Sequence, residues 1–202
     1  MTIKHNSGPA DGVSTLHTAL EKRVRRMSFA SGAPAGGGTA DTGSPLPVFH
    51  LGMDYATHPD ALQFARQTEW RYPVIGPNAL GFATISEAAG APQYCGITYG
   101  MFAQRLFDAC QIADKTFGNN AAEEYEARIL DVPGLNVVAL WLAGETNHFI
   151  PLLEGNPPGT TSLQILNDIK PFLRAAASKR SEFAAPASTV VAEHLVRSTP
   201  TN

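Results

Sequence analysis

The chain is poor in most of the features that assign a protein to a specialised class. Its 202 residues include two cysteines, Cys95 and Cys110, too few for a disulfide framework. Charged residues make up 16%, against roughly 25% in ordinary soluble domains. Neither sign prevails, since the formal net charge is -3. That balance argues against binding nucleic acid by charge and against an acidic disordered chain. No apolar run approaches the roughly 18 residues that cross a bilayer. Met1 to Pro9 contains no apolar stretch of the kind found in a secretory leader. The expectation is a cytoplasmic protein with no membrane span and no nucleic-acid partner. No internal repeat is visible.

What is present is a hydrophobic content of 44%, with 18 glycines and 15 prolines that cluster. Tyr125 to Leu153 holds three apolar runs separated by Asp131-Val132-Pro133-Gly134 and Gly144-Glu145-Thr146-Asn147. Short turn clusters between apolar runs predict consecutive antiparallel strands. The middle run, Leu135 to Ala143, is apolar at nearly every position, as in a strand covered on both faces. Trp70–Ile75 and Leu80–Ile85, around Gly76-Pro77-Asn78-Ala79, predict a second hairpin, and Val48–Leu51 a short strand. Thr57–Gln67 predicts a helix capped by Thr57 or His58. In the 99–117 segment Phe102, Leu106, Ala109, Cys110, Ala113 and Phe117 form one helical stripe. Leu163, Leu166, Ile169, Leu173 and Ala177 form another between Ser162 and Ala177, which Pro171 should kink.

The fold class expected is α+β: a mostly antiparallel twisted sheet of about five strands against two main helices, with flexible terminal extensions. Residues 46–179 would be its core. Residues 1–30 would carry a separate amphipathic helix striped by Val13, Leu16, Leu20, Val24 and Met27. Residues 31–45, rich in Gly, Ala, Ser, Thr and Pro, read as a linker. Residues 180–202 read as a tail, with Ser188–Val196 a short helical candidate.

The residues that carry chemistry form few constellations. Cys95 lies in Gln93-Tyr94-Cys95-Gly96-Ile97-Thr98, just before the 99–117 helix. A thiol at a helix N-terminus is acidified by the dipole and the free amides. His148 opens the last strand of the meander. Cys-Gly-x-Thr followed later by His-Phe-Ile resembles, over those few residues, the bacterial double-glycine peptidase branch of papain-like hydrolases. That resemblance implies Cys95 as nucleophile, His148 as base and Gln93 as an oxyanion contributor; it assigns no third member, for which Asn156 and Asp168 are the candidates. His50, Asp54 and His58 have helical metal-ligand spacing, but Gly52 and Pro59 interrupt any helix there, so no metal is expected. Gly36-Gly37-Gly38-Thr39 has neither the preceding strand nor the following Lys of a phosphate loop. No motif calls for a cofactor. Lys22, Arg23, Arg25 and Arg26 crowd the end of the first helix as a solvated basic patch. Trp70, Tyr72, Phe82 and Trp141 are the aromatic candidates for a small-molecule cleft.

The leading expectation is therefore a non-enzymatic interaction or accessory protein. Leu16, Leu20, Val24 and Met27 would dock onto another protein or a second copy of this chain. The alternatives are a papain-like cysteine hydrolase or transferase using Cys95 and His148, and a small-molecule-binding module.

Overall fold

The computed structural model describes residues 3–4, 6–31, 41–75, 80–88, 90–118, 123–153 and 163–184. In chain order the elements are β1 (Ile3–Lys4), α1 (Gly12–Ser31), β2 (Asp41–Thr42), β3 (Leu46–His50), β4 (Arg66–Ile75), β5 (Leu80–Ala88) and β6 (Ala91–Tyr99). They continue with α2 (Met101–Phe117), β7 (Tyr125–Val132), β8 (Val137–Ala143), β9 (His148–Leu153) and α3 (Lys170–Ala184). One-turn 3-10 helices cover Met53–Tyr55, Ala61–Phe64 and Pro133–Leu135.

All the strands join one mixed sheet in the order β6-β5-β4-β3-β7-β8-β9. The short β1 lies beside β7, and β2 beside β4. The β3/β7 and β1/β7 pairings are parallel; the rest are antiparallel. Helix α2 covers one face, and α1 and α3 share the other. Strand β8 shows how. Val138, Leu140 and Leu142 point into the core under α2, while Val137, Ala139 and Trp141 point into the core with α3. Successive side chains on a strand alternate faces, so a strand covered twice needs an apolar residue at every position. That is what Val137–Leu142 provides.

Helix α1 lies over β4–β5–β6. Leu16 is wholly buried among Tyr72, Val74, Ala83 and Ile85, with Leu20, Trp70, Tyr94 and Ile97 at the margin. Close approach requires glycine at two places. A Cβ on Gly8 or Gly12 would collide with the Tyr72 hydroxyl, and Gly8 also has a φ of 69°.

The architecture corrects several expectations. The sheet is larger than five antiparallel strands, is partly parallel, and among the described residues carries three α-helices on two faces. The segment 1–30 is not held away from the core: β1 pairs with Tyr125–Glu126, and the α1 stripe at Leu16 and Leu20 is spent on β4, β5 and β6. Within the expected linker, Asp41–Thr42 pair with Val74–Ile75, whereas 32–40 lie outside the described residues, as do 185–202 with the Ser188–Val196 candidate. Thr57–Gln67 forms no α-helix, because β4 begins at Arg66 and its ladder with β3 fixes that backbone. Pro171 does not kink a helix. It sits in the first turn of α3, where its missing N–H is not needed, and the Asp168 carboxylate accepts the Lys170 N–H at 2.9 Å.

Candidate functional site

Cys95 and His148 belong to different edges of the sheet. Cys95 is not at a helix start; it lies inside β6, the strand at one end of the order, and His148 opens β9 at the other. The β5/β6 register shifts between Thr84, opposite Gly96, and Ile85, opposite Tyr94. Cys95 is thus the extra residue of a bulge. It is exposed, with its Sγ 3.3 Å from Ser86 Oγ and 3.6 Å from the Gln93 carbonyl. Gln93 precedes it on the same strand.

The His148 imidazole is engaged elsewhere. Its Nε2 is 3.3 Å from the Tyr125 hydroxyl and its Nδ1 3.0 Å from Asn167 Oδ1. Its ring lies 4.6 Å from that of Phe117. Tyr125 donates to the Glu123 carboxylate. That bond first, then burial and the Glu123 charge, push the phenol up to about 12. The chain of contacts Glu123–Tyr125–His148–Asn167 ties β7 and β9 to the segment before α3. Asp168 caps α3 and Asn156 lies outside the described residues; among the described residues no triad forms around this imidazole.

The other candidates are dispersed. His50 Nε2 meets Asp131 at 3.3 Å, His58 Nδ1 accepts the Asp60 N–H at 3.1 Å, and Asp54 sits in a 3-10 turn. Among the described residues, no three His, Cys, Asp or Glu side chains are grouped to hold a metal. The four aromatic residues are split among three cores: Phe82 under α2, Trp141 under α3, and Trp70 and Tyr72 under α1. They form no shared cleft.

The two sheet edges differ in a way the sequence did not reveal. The β9 edge is covered. Phe149 and Leu166 exchange backbone hydrogen bonds of 2.8 and 2.7 Å, Pro151 has no N–H to offer, and Arg105 donates to the Leu152 carbonyl at 2.9 Å. Among the described residues the β6 edge is open, and its only ladder partner is β5. Its nine residues, Ala-Pro-Gln-Tyr-Cys-Gly-Ile-Thr-Tyr, include no charge. Beside it an open groove of about 350 Å³ runs between α1 and β6, lined by Ser14, Thr15, Thr18, Ala19, Lys22 and Tyr94.

The two thiols should differ sharply in reactivity. Cys95 is exposed, whereas Cys110 packs against the core under α2. Burial first, and the negative charge of Asp114 second, push the Cys110 thiol up to about 12. Thiolate is the reacting species, so a native-state titration with a disulfide reagent at pH 8 should show one fast equivalent. Cys95→Ser should remove it. Loss of the fast phase in Cys110→Ala instead would reverse the assignment.

Comparison of the chain with protein-family models, with curated proteins and with solved structures gives no match.

Proposed function

We propose that this chain is a non-enzymatic interaction or accessory protein whose docking element is the outer edge of β6. The observation that supports this reading most is the contrast between the edges. A bare edge presents a row of free N–H and C=O groups, and proteins usually blunt it with charge, proline, bulges or a covering segment. In β9 a covering segment, a proline and an arginine are all present. Along β6 no charged side chain guards the ladder. Pro92 and the Cys95 bulge narrow the registers a partner strand can take; they leave the run from Gly96 to Tyr99 free. Tyr99 and, just beyond it, Met101 are 45% and 75% exposed and add apolar rim to that run. Strand addition uses such an edge: main-chain bonds supply affinity and alternate side chains supply selectivity.

This reading keeps the class of function expected from the sequence and moves its surface. The α1 stripe is not available at Leu16 or Leu20, because those side chains already face this core. The side chains of Val24 and Met27 lie outside the described residues.

Selection of a random ten-residue peptide display library against the full chain tests the proposal. Enriched peptides should lose binding to a Gln93→Lys/Thr98→Lys variant. Both positions are exposed on β6, so the melting temperature should hold. No enrichment, or peptides that bind the double-lysine variant equally well, would overturn it.

A further inference from the structure

The geometry points to a single cleft, formed by the β6 edge and the flank of α1, that takes an extended peptide bearing an acidic side chain. This inference rests on the strand-addition reading and specifies what is added. A strand joining β6 would send every second side chain toward the α1 face of the sheet. On that face lies the groove between α1 and Tyr94. The open ladder and the groove are independent features, and they flank the same strand.

The lining sets the chemistry. Ser14, Thr15 and Thr18 bring three hydroxyls, Ala19 is small, and Lys22 is the one charged residue among the described residues of the wall. Among the described residues, no carboxylate lines the groove. Glu87 on β5 accepts from Trp70 Nε1 at 3.2 Å. Ser14 donates its proton to the Asp11 carbonyl at 2.9 Å, so its oxygen faces a ligand as an acceptor. The Tyr94 hydroxyl is buried with no hydrogen-bond partner among the described residues, an arrangement that costs about 1–3 kcal/mol unless something supplies one. From Ser14 to Lys22 the helix rises about 12 Å at 1.5 Å per residue. A strand covers that in roughly four residues at about 3.3 Å each, so two side chains enter the groove, two positions apart. One meets the hydroxyl end and fits a small or hydroxylic residue. The other meets Lys22 and fits Asp or Glu, a charge-assisted contact at a partly open site.

Fluorescein-labelled ten-residue peptides of alternating threonine and valine provide the probe, with either glutamate or lysine at one central groove-facing position. Anisotropy titrations use the full chain, its Lys22→Glu variant, and a peptide N-methylated at every second amide to block the ladder. The glutamate peptide should bind at least tenfold more tightly than the lysine peptide, and Lys22→Glu should invert that order. Raising the salt from 50 to 500 mM should erode the difference, because charges at a partly open site are screened. N-methylation should abolish binding of either peptide. Equal binding of the two peptides, still lost on N-methylation, overturns the acidic specificity and leaves the edge reading in place. Binding that survives N-methylation, or no binding of either peptide, overturns the edge reading and this inference with it.

Discussion

Replacing Trp141 with alanine should cost about 3–5 kcal/mol, the usual range for deleting a large aromatic from a packed core. The indole is 6% exposed in the middle of β8. Phe49 meets it edge-on at 5.6 Å, and the Phe149 ring lies stacked at 6.0 Å. The Arg128 guanidinium sits over both the indole and Phe49, at 5.0 and 4.8 Å from the ring centroids. The indole N–H donates to Asn147 Oδ1 at 2.8 Å. Alanine would leave a cavity under α3, strip the cation of its aromatic bed, and orphan the Asn147 acceptor. With total stabilities of about 5–15 kcal/mol for ordinary domains, such a loss leaves the variant marginal or unfolded. Urea unfolding followed by circular dichroism measures it. Trp70→Ala is the control, because Trp70 is only half-buried at the edge of the α1 core and should cost clearly less. A loss below about 1 kcal/mol for Trp141→Ala would mean that β8 is not the strand buried on both faces around which the layers are built.

That strand is also where the sequence was most readable, for the same physical reason. Two covered faces force an apolar residue at every position, and the pattern survives without knowledge of what covers it. The turn clusters at Asp131–Gly134 and Gly144–Asn147 announced the flanking strands, and the α2 stripe announced its helix. Strand β6 escaped because only Tyr94 and Ile97 reach a core, and only its margin. Pro92, Gly96 and the Cys95 bulge break the alternation that would have marked it. The one local sign was Gly90, which takes a φ of 77° between β5 and β6 with nothing near a would-be Cβ; a glycine at that φ marks a turn rather than a tight contact. The parallel pairing of Val48 with Ile129 joins residues far apart in the chain, so nothing local in Val-Phe-His-Leu encodes it. The candidate site depended on the same missing information. Whether a strand is an edge, and whether that edge is covered, is a property of the whole topology. Cys95 and His148 looked like a pair because of their residue types. The sheet places one on each edge strand.

Replacing Leu16 with aspartate should destabilise the whole molecule rather than release a tail. Leu16 is fully buried by β4 and β5 side chains. Truncation to alanine should cost about 2–5 kcal/mol, a fall in Tm on the order of 10 °C at roughly 2–4 °C per kcal/mol for a chain of this size. Aspartate should do worse, since Leu16 packs in a hydrophobic cluster with Tyr72, Val74, Ala83 and Ile85 and an unpaired buried carboxylate is heavily penalised. Val13→Asp is the control: Val13 is 43% exposed on the same helix, so its melting curve should hardly move. Scanning calorimetry of the full chain should show one transition lowered as a unit in Leu16→Asp, since α1 and the sheet share one core. If Leu16→Asp melts like the wild type, α1 contributes nothing to that core and is the detached docking helix that its amphipathic stripe suggests in isolation. The groove argument would then lose its wall. If the transition falls as expected, α1 is a fixed part of the scaffold, and the Lys22 side of the cleft is held at a constant distance from β6. A fixed wall is what allows a groove to select one extended side chain over another, because a preformed site spends little of its binding free energy on ordering itself.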